Sequence, residues 1–341
     1  MALIVFKCRK LSLSALIFLV VMPLKVAISN QDVSHLLTDC TWSGSREQAA
    51  RKLEFTIIQD DRDPLIPIVD VDNGMTCYAG DDEGNVVFVG NIYNLERDRK
   101  NSHVKIVAFD NLFVLNKSKT TRKFSESLPE DITKQICSEM GILAGDIVST
   151  GEKVSFIANG KTGYQIIMAA YTEASKKNQK KYQCLMNRNR LDVIEKGTLL
   201  DFELDSARNM TESIYKESIE NLVNRVLVVD DAGNGGEIIS DDESIAKYSM
   251  FQAIYRQAKD KDTATEVKAL FKKPEREGQI TALGDYSVIS GYSVTIRDAL
   301  FAGQFWVKSD VHTFRGGVHE MKLSLEFENL MSEEKADVAK K

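Results

Sequence analysis

The sequence predicts an α+β fold that is mainly β, with two barrel-like β domains and an α+β insertion between them. Three observations predict it. Near the C-terminus Met321, Leu323, Leu325 and Phe327 alternate with Glu320, Lys322, Ser324, Glu326 and Glu328, which is the period of a half-buried strand. From residue 22 to 115, short alternating runs recur at regular spacing with turn residues between them. From 116 to 204 the apolar period lengthens to that of helices, and capping signals appear.

The elements follow in order. Lys7, Arg9 and Lys10 precede the apolar stretch from Leu11 to Met22, which has the shape of a secretory signal. Leu24, Val26 and Ile28 alternate as a first strand just beyond it, so residues 1–21 read as an N-terminal extension outside the fold. The first β domain, 22–115, holds Leu53, Phe55 and Ile57 on one strand face. A run from Val69 to Tyr78 follows, interrupted by the turn Asp72-Asn73-Gly74. The turn Asp82 to Asn85 leads into Val86 to Gly90, Ile92 and Leu95, and His103 to Phe109 closes the domain.

In the insertion, 116–204, Ser127-Leu-Pro-Glu130 reads as a capping box opening a helix with Ile132, Ile136 and Met140 on one face and Gly141 at its end. Thr162 to Gln165 opens a second helix whose stripe is Tyr164, Ile167, Met168, Tyr171 and Ala174. The strand runs Tyr182 to Met186 and Leu191 to Ile194 follow. The second β domain, 205–331, has a strand from Asn224 to Asp230 and a turn to Gly236. Ser240 to Glu243 then starts a helix carrying Ile245, Tyr248, Phe251, Ile254 and Tyr255. A helix from Thr263 to Phe271 stops before Pro274, and Tyr286 to Ile296 follows. A hairpin of Gln304 to Thr313 with Val318 onward turns at Gly316-Gly317. Residues 332–341 are a charged tail.

The chain carries a formal charge of −6, which argues against non-specific binding of nucleic acid. Its five cysteines, Cys8, Cys40, Cys77, Cys137 and Cys184, are scattered without a CxxC and read as free, mostly buried thiols. The paired carboxylates Asp60-Asp61, Asp81 to Glu83, Asp230-Asp231 and Asp241 to Glu243 sit in turns and at a helix start, where solvated acids are ordinary. Asp230 to Gly236 has the composition of a calcium loop without its closing glutamate. Gly233 to Gly236 is a weak phosphate-loop mimic that no Gly-Lys-Ser/Thr follows, no G-x-S-x-G elbow occurs, and the lysines of 176–181 fit a solvated helix end. Asp310, His312 and His319 are the candidate metal ligands, since they can meet across the terminal hairpin; their strand positions read instead as hydrogen-bonded histidines. No catalytic residue, cofactor-binding residue or cofactor is expected.

Several stretches carry a resemblance. They are Trp42-Ser-Gly44 with Ala50 to Thr56, Phe88-Val-Gly90, His103 to Asp110, and Val223 to Val226 with Asp230 to Asn234. They continue with Gly303 to His312, Gly317 to Phe327 and Asn329 to Met331. In order and spacing this chain resembles the baseplate hub proteins of contractile-tailed phages and phage-tail-like bacteriocins, specifically the XkdQ/YqbQ-like branch related to the late control D proteins. The resemblance covers roughly Leu24 to Met331, and residues 1–21 depart from it.

The resemblance implies a structural protein of a virion or tail-like particle baseplate, assembled in the bacterial cytoplasm. Such hubs are similar to homotrimers whose paired barrels make a ring between a sixfold tail tube and a threefold spike. The implied partners are the tail tube protein, the central spike, the tape-measure protein and the baseplate wedge proteins, with transient passage of DNA and no stable membrane association. The signature positions it marks as structural are Trp42, Gly44, Phe55, Gly90, Asp110, Asn224, Gly303, Phe305, Asp310, His312, Gly317, His319 and Met321. The signal-like N-terminus favours a different class, a secreted cell-wall-binding or wall-hydrolysing protein.

Overall fold

The strands are built on alternation. In the computed structural model, which describes residues 23–230, 232–257 and 263–335, inward positions of neighbouring strands stack into continuous apolar layers. The N-terminal extension and Cys8 lie outside the described residues, as does Asp231.

The first β segment comprises β1 (Lys25–Ile28), β2 (Gln31–Asp32), β3 (Leu37–Ser45), β4 (Lys52–Ile58), β5 (Thr76–Gly80), β6 (Val86–Asp98) and β7 (His103–Asp110). The insertion follows as α1 (Leu112–Lys117), β8 (Lys119–Ser127), α2 (Pro129–Glu139), β9 (Leu143–Ile147), β10 (Val154–Thr162), α3 (Gly163–Asn178), β11 (Tyr182–Asn187) and β12 (Arg190–Glu195). The remainder is β13 (Leu199–Asp205), β14 (Met210–Ser218), β15 (Arg225–Val229), β16 (Gly235–Ser240), α4 (Asp242–Tyr248), β17 (Gln252–Arg256), α5 (Thr263–Leu270), β18 (Glu275–Leu283), β19 (Ser293–Arg297), β20 (Ala302–Arg315) and β21 (Val318–Glu326).

One sheet of 13 strands runs β14-β18-β21-β20-β3-β4-β7-β6-β5-β1-β2, with β19 also paired to β20 and β13 paired to β19. The long strand β20 explains how two barrel-like segments share it. Its first residues pair with β19 (Val294 with Phe305), and its later residues pair with β3 (His312 with Trp42), while β21 runs beside it from Trp306 to Arg315. Each segment keeps its own core. Trp42, Leu53, Phe55, Ile57, Ile92 and Ile106 fill the first; Leu204, Ile280, Val294, Phe301, Met321 and Leu323 fill the second. Burial of such side chains stabilises by about 1.5–3 kcal/mol each.

The insertion core forms where α2 and α3 pack among β8–β10 and the β9-β12-β11 sheet, around Ile136, Ile167, Tyr171 and Leu191. The chain divides into two compact units, Ile214–Gly278 and the rest. The smaller one is a three-stranded sheet, β16-β15-β17, with Val226, Val228 and Val267 as its core.

Several local expectations change. α2 begins at Pro129 with Leu128 as N-cap, because β8 keeps Ser127 extended and its hydroxyl donates to the Ser125 carbonyl (3.2 Å). Glu130 instead accepts from the hydroxyls of Ser149 (2.5 Å) and Thr150 (3.2 Å). The end at Gly141 holds: its φ is 70°, and Ile142 N–H reaches back to the Cys137 carbonyl (2.8 Å), a Schellman closure. The helix from Asp242 stops at Tyr248, and Phe251, Ile254 and Tyr255 do not continue it. Ser249 turns the chain with φ 72°, and β17 pairs in parallel with β15. Its cap is Asp241, which accepts from Ser244 N–H (3.0 Å). Val69 and Val71 are buried in a loop before β5, and Tyr286 to Tyr292 precede β19 as a connection. β13 already belongs to the large sheet.

Thr162 caps α3 as expected: its hydroxyl accepts from Gln165 N–H (3.2 Å), while the Gln165 side chain accepts from Thr162 N–H (3.1 Å). Thr162→Ala is expected to cost about 1 kcal/mol, read as a lower urea midpoint for the transition that reports on α3.

Candidate functional site

One group of buried polar residues converges where β20 meets β3. Asp310 faces Gly44 across that pairing and is fully buried. Arg51, just before β4, lays its guanidinium over the strand: Nη1 donates to Asp310 Oδ1 (3.0 Å) and Nη2 to Oδ2, and the charged carbon lies 4.1 Å from the Trp42 ring centre. Ser290 N–H adds a third bond to Oδ1 (2.7 Å). A Cβ at position 44 would stand 2.2 Å from Arg51 Nη1, so glycine there is the space the guanidinium occupies.

The backbone N–H of Arg51 donates to Asp110 Oδ2 (3.1 Å), and Leu112 N–H donates to Oδ1 (3.0 Å). Asp110 thus closes β7 and starts the insertion. Burial pushes its carboxyl up to about 7, against the lowering effect of those bonds and of Arg51.

The histidines complete the junction. His312 Nε2 lies 3.1 Å from the Val288 carbonyl, which accepts, so that nitrogen carries the proton. His312 Nδ1 then accepts from His319 Nε2–H at 3.0 Å. Burial, the largest cause for each, holds both rings at about 4 instead of the ordinary 6.5, so both stay neutral. His319 also stacks on Phe314 (4.3 Å between centroids). Asp310, His312 and His319 are brought together, with Asp310 Oδ2 3.5 Å from His312 Nε2. The nitrogens facing each other are engaged, and among the described residues no group of three or more His, Cys, Asp or Glu side chains is arranged to hold a metal.

A second junction ties the insertion to the sheet. Lys196 Nζ donates to Glu326 Oε2 (2.6 Å), whose other oxygen accepts from Arg46 Nε (2.5 Å). Burial pulls Lys196 below the ordinary lysine range, with Glu326 opposing. Glu326 therefore does not face solvent, although its place in the alternation suggested so; Lys196 and Arg46 cover that end of β21. Asn329 Nδ2 donates to the Lys196 carbonyl (2.9 Å), and Ser332 and Glu334 bond to Arg46 and Thr172, so the start of the charged tail lies along this seam.

The other positions that the resemblance marks lie in cores, pairings and turns. Phe55 and Met321 are core, and a Cβ on Gly90 would meet the Phe109 carbonyl at 2.3 Å. Asn224 is buried, donating to the Ser249 carbonyl (2.8 Å) and accepting from Phe251 N–H (2.8 Å). Phe305 packs edge-on against Phe301 and Phe327. Gly303 and Gly317 have φ of 120° and 80°. The Asp230 carboxylate is used by Asn234, through its N–H (2.8 Å) and side-chain amide (3.0 Å). Cys40, Cys77, Cys137 and Cys184 are buried free thiols. Arg51, Ser290, Lys196, Arg46 and Glu326 were not anticipated as a set; a charged residue beside an apolar strand run was the one available signal.

Residues 40–326 match the YQBQ-like family, and the chain belongs to it. It is 26% identical over 304 residues to the phage-like element PBSX protein XkdQ of Bacillus subtilis (strain 168), covering 85% of this chain and 92% of that one. Its fold is similar to the 43 kDa tail protein of prophage MuSo2 from Shewanella oneidensis (TM-score 0.66, 11% identity, covering 89% and 98% of the two chains). It is also similar to the tail protein from Neisseria meningitidis MC58 (TM-score 0.60, 13% identity, covering 89% and 96%).

Arg51→Ala leaves Asp310 buried without its cation and is expected to cost about 3–5 kcal/mol in denaturant unfolding, with Arg51→Lys restoring little because the paired contact is lost. Acid should also destabilise the fold. Between the ordinary histidine value of 6.5 and about 4, the unfolded chain takes up two protons that neutral His312 and His319 refuse, so stability present above 6.5 is lost on acidification. Asp110 acts oppositely: its contribution is present below 3.8 and lost as pH rises through about 7, but it involves one proton against two. His319→Gln is expected to flatten the decline between pH 6.5 and 4.5, measured as unfolding free energy against pH.

Proposed function

We propose that this protein is the structural baseplate hub of a contractile phage tail or of a tail-like particle such as an R-type bacteriocin. Copies of the chain form a homotrimeric ring, and the two barrel-like segments of each copy give the ring a pseudo-sixfold face. That face meets the tail tube protein, and the threefold side meets the central spike. The tape-measure protein and then DNA pass through, and baseplate wedge proteins surround the ring. Assembly takes place in the bacterial cytoplasm.

The observation that carries this reading is β20. It pairs with β19 in one segment and β3 in the other, which holds two similar walls side by side in a single sheet. A heterologous contact that closes by rotation turns three such pairs into a finite ring. Membership of the YQBQ-like family and the relationship to XkdQ support it.

The outer face of the first segment suits a lumen. Register places Asp39, Thr56, Lys105 and Glu96 in one row, and Thr41 beside Glu54 in the next. Glu54 bonds to both Lys52 (2.8 Å) and Lys105 (2.6 Å). Alternating signs leave little net field to hold a sliding polyanion. Among the described residues no helix is long and apolar enough to cross a membrane. Native mass spectrometry of the purified chain is expected to give three copies, and cryo-EM of the particle is expected to show the mixed-charge face inward. A stable monomer, or a lumen lined by lysines, counts against the reading.

A further inference from the structure

Two surfaces of the chain remain without an occupant, and they complement each other. The first is the connection from β4 to β5, which is long for a compact domain. It is ordered on one side: Val69 and Val71 are buried, Ile66 packs against the first core, and Arg62 bonds to Asp60 Oδ1 (2.8 Å) and to Ser102 (2.9 Å). On the other side Leu65 and Ile68 stand 89% and 65% exposed, between Asp63 and Asp70. Pro64 and Pro67 stiffen the tip, so the exposed pair is held in place at low entropic cost to a binding event. Five aspartates against one arginine make this stretch, 60–72, acidic.

The second surface is the open side of the β16-β15-β17 sheet. Val226, Val228, Ile239, Ala253 and Tyr255 face the core shared with α5, so alternation turns Leu227, Ile238 and Ile254 the other way. Register puts those three in one row, Ile238 and Ile254 each opposite Leu227, and Ile254 is 61% exposed. On β15 and β17 alternation puts Arg225 and Arg256 on the same face. An apolar row flanked by two arginines calls for an apolar segment flanked by acids.

We infer that the Leu65–Ile68 tip of one copy docks on the Ile238–Leu227–Ile254 row of a second copy, with Asp63 and Asp70 meeting Arg225 and Arg256. Two different patches used head to tail make a heterologous contact, the type that closes into a ring. The inference rests on the hub reading for the existence of an oligomer and names the surfaces that build it.

The test mixes two full-length chains, one carrying Leu65→Cys and the other Ile254→Cys, both with Cys8→Ser; the four other thiols are buried. After treatment with a short bis-maleimide, denaturing gels are expected to show a product of two chains that contains one of each variant, as mass spectrometry identifies. Cross-linking of the Leu65→Cys chain to itself at the same yield shows that the tips meet each other and overturns the inference. No product, in a preparation that native mass shows to be oligomeric, overturns this contact and leaves the hub reading standing. A monomeric preparation overturns both. In parallel, Leu65→Ser with Ile68→Ser changes exposed positions only and is expected to weaken association by about tenfold or more; unchanged association overturns the inference.

Discussion

The buried pairing of Arg51 with Asp310 is the constraint on which the rest of the fold depends. It joins residues that are 259 positions apart in the chain. Arg51 introduces β4, and Asp310 sits in the part of β20 that has left the second segment and entered the first. Trp42 and the Ser290 N–H complete the enclosure, and Gly44 supplies the room. A hydrophobic replacement of the same volume is often no less stable than a buried ion pair. What the pair adds is a fixed register: sliding β20 by one residue would carry Asp310 to the solvent face and leave the guanidinium stranded.

The same logic repeats at the Lys196–Glu326–Arg46 cluster, which joins the end of the insertion to the last strand and to the loop after β3. Both junctions unite three parts of the chain at one buried point. Large units are therefore held by a few directional contacts set in apolar cores. Packed interiors of this kind have low compressibility and transmit strain.

The legible parts of the fold were those with one wet face and one dry one. β21 declared itself through Met321, Leu323 and Leu325, and α3 through Thr162, Gln165 and its apolar stripe. β3 was hard to see because its inward residues are Cys40, Trp42 and Gly44 and its outward ones are small and polar. β18 begins with charged residues, and β17 is masked because Phe251, Ile254 and Tyr255 also fit a helical spacing. His312 and His319 were recognisable as neighbours because the Gly316-Gly317 turn sets the hairpin register. Arg51, Ser290 and Lys196 find partners far along the chain, and no local period announces such contacts.

The strand shared between segments has a further consequence for synthesis. β3 emerges early from the ribosome, while the strand that seals its edge is among the last elements made. Until then the first wall presents an open row of peptide groups, and its side of the Arg51 pair lacks a counter-ion. Chains cut short by translation faults or proteolysis thus keep an unfinished seam. Quality control is written into the topology, since full length is a condition for the first half of the protein to reach its final state.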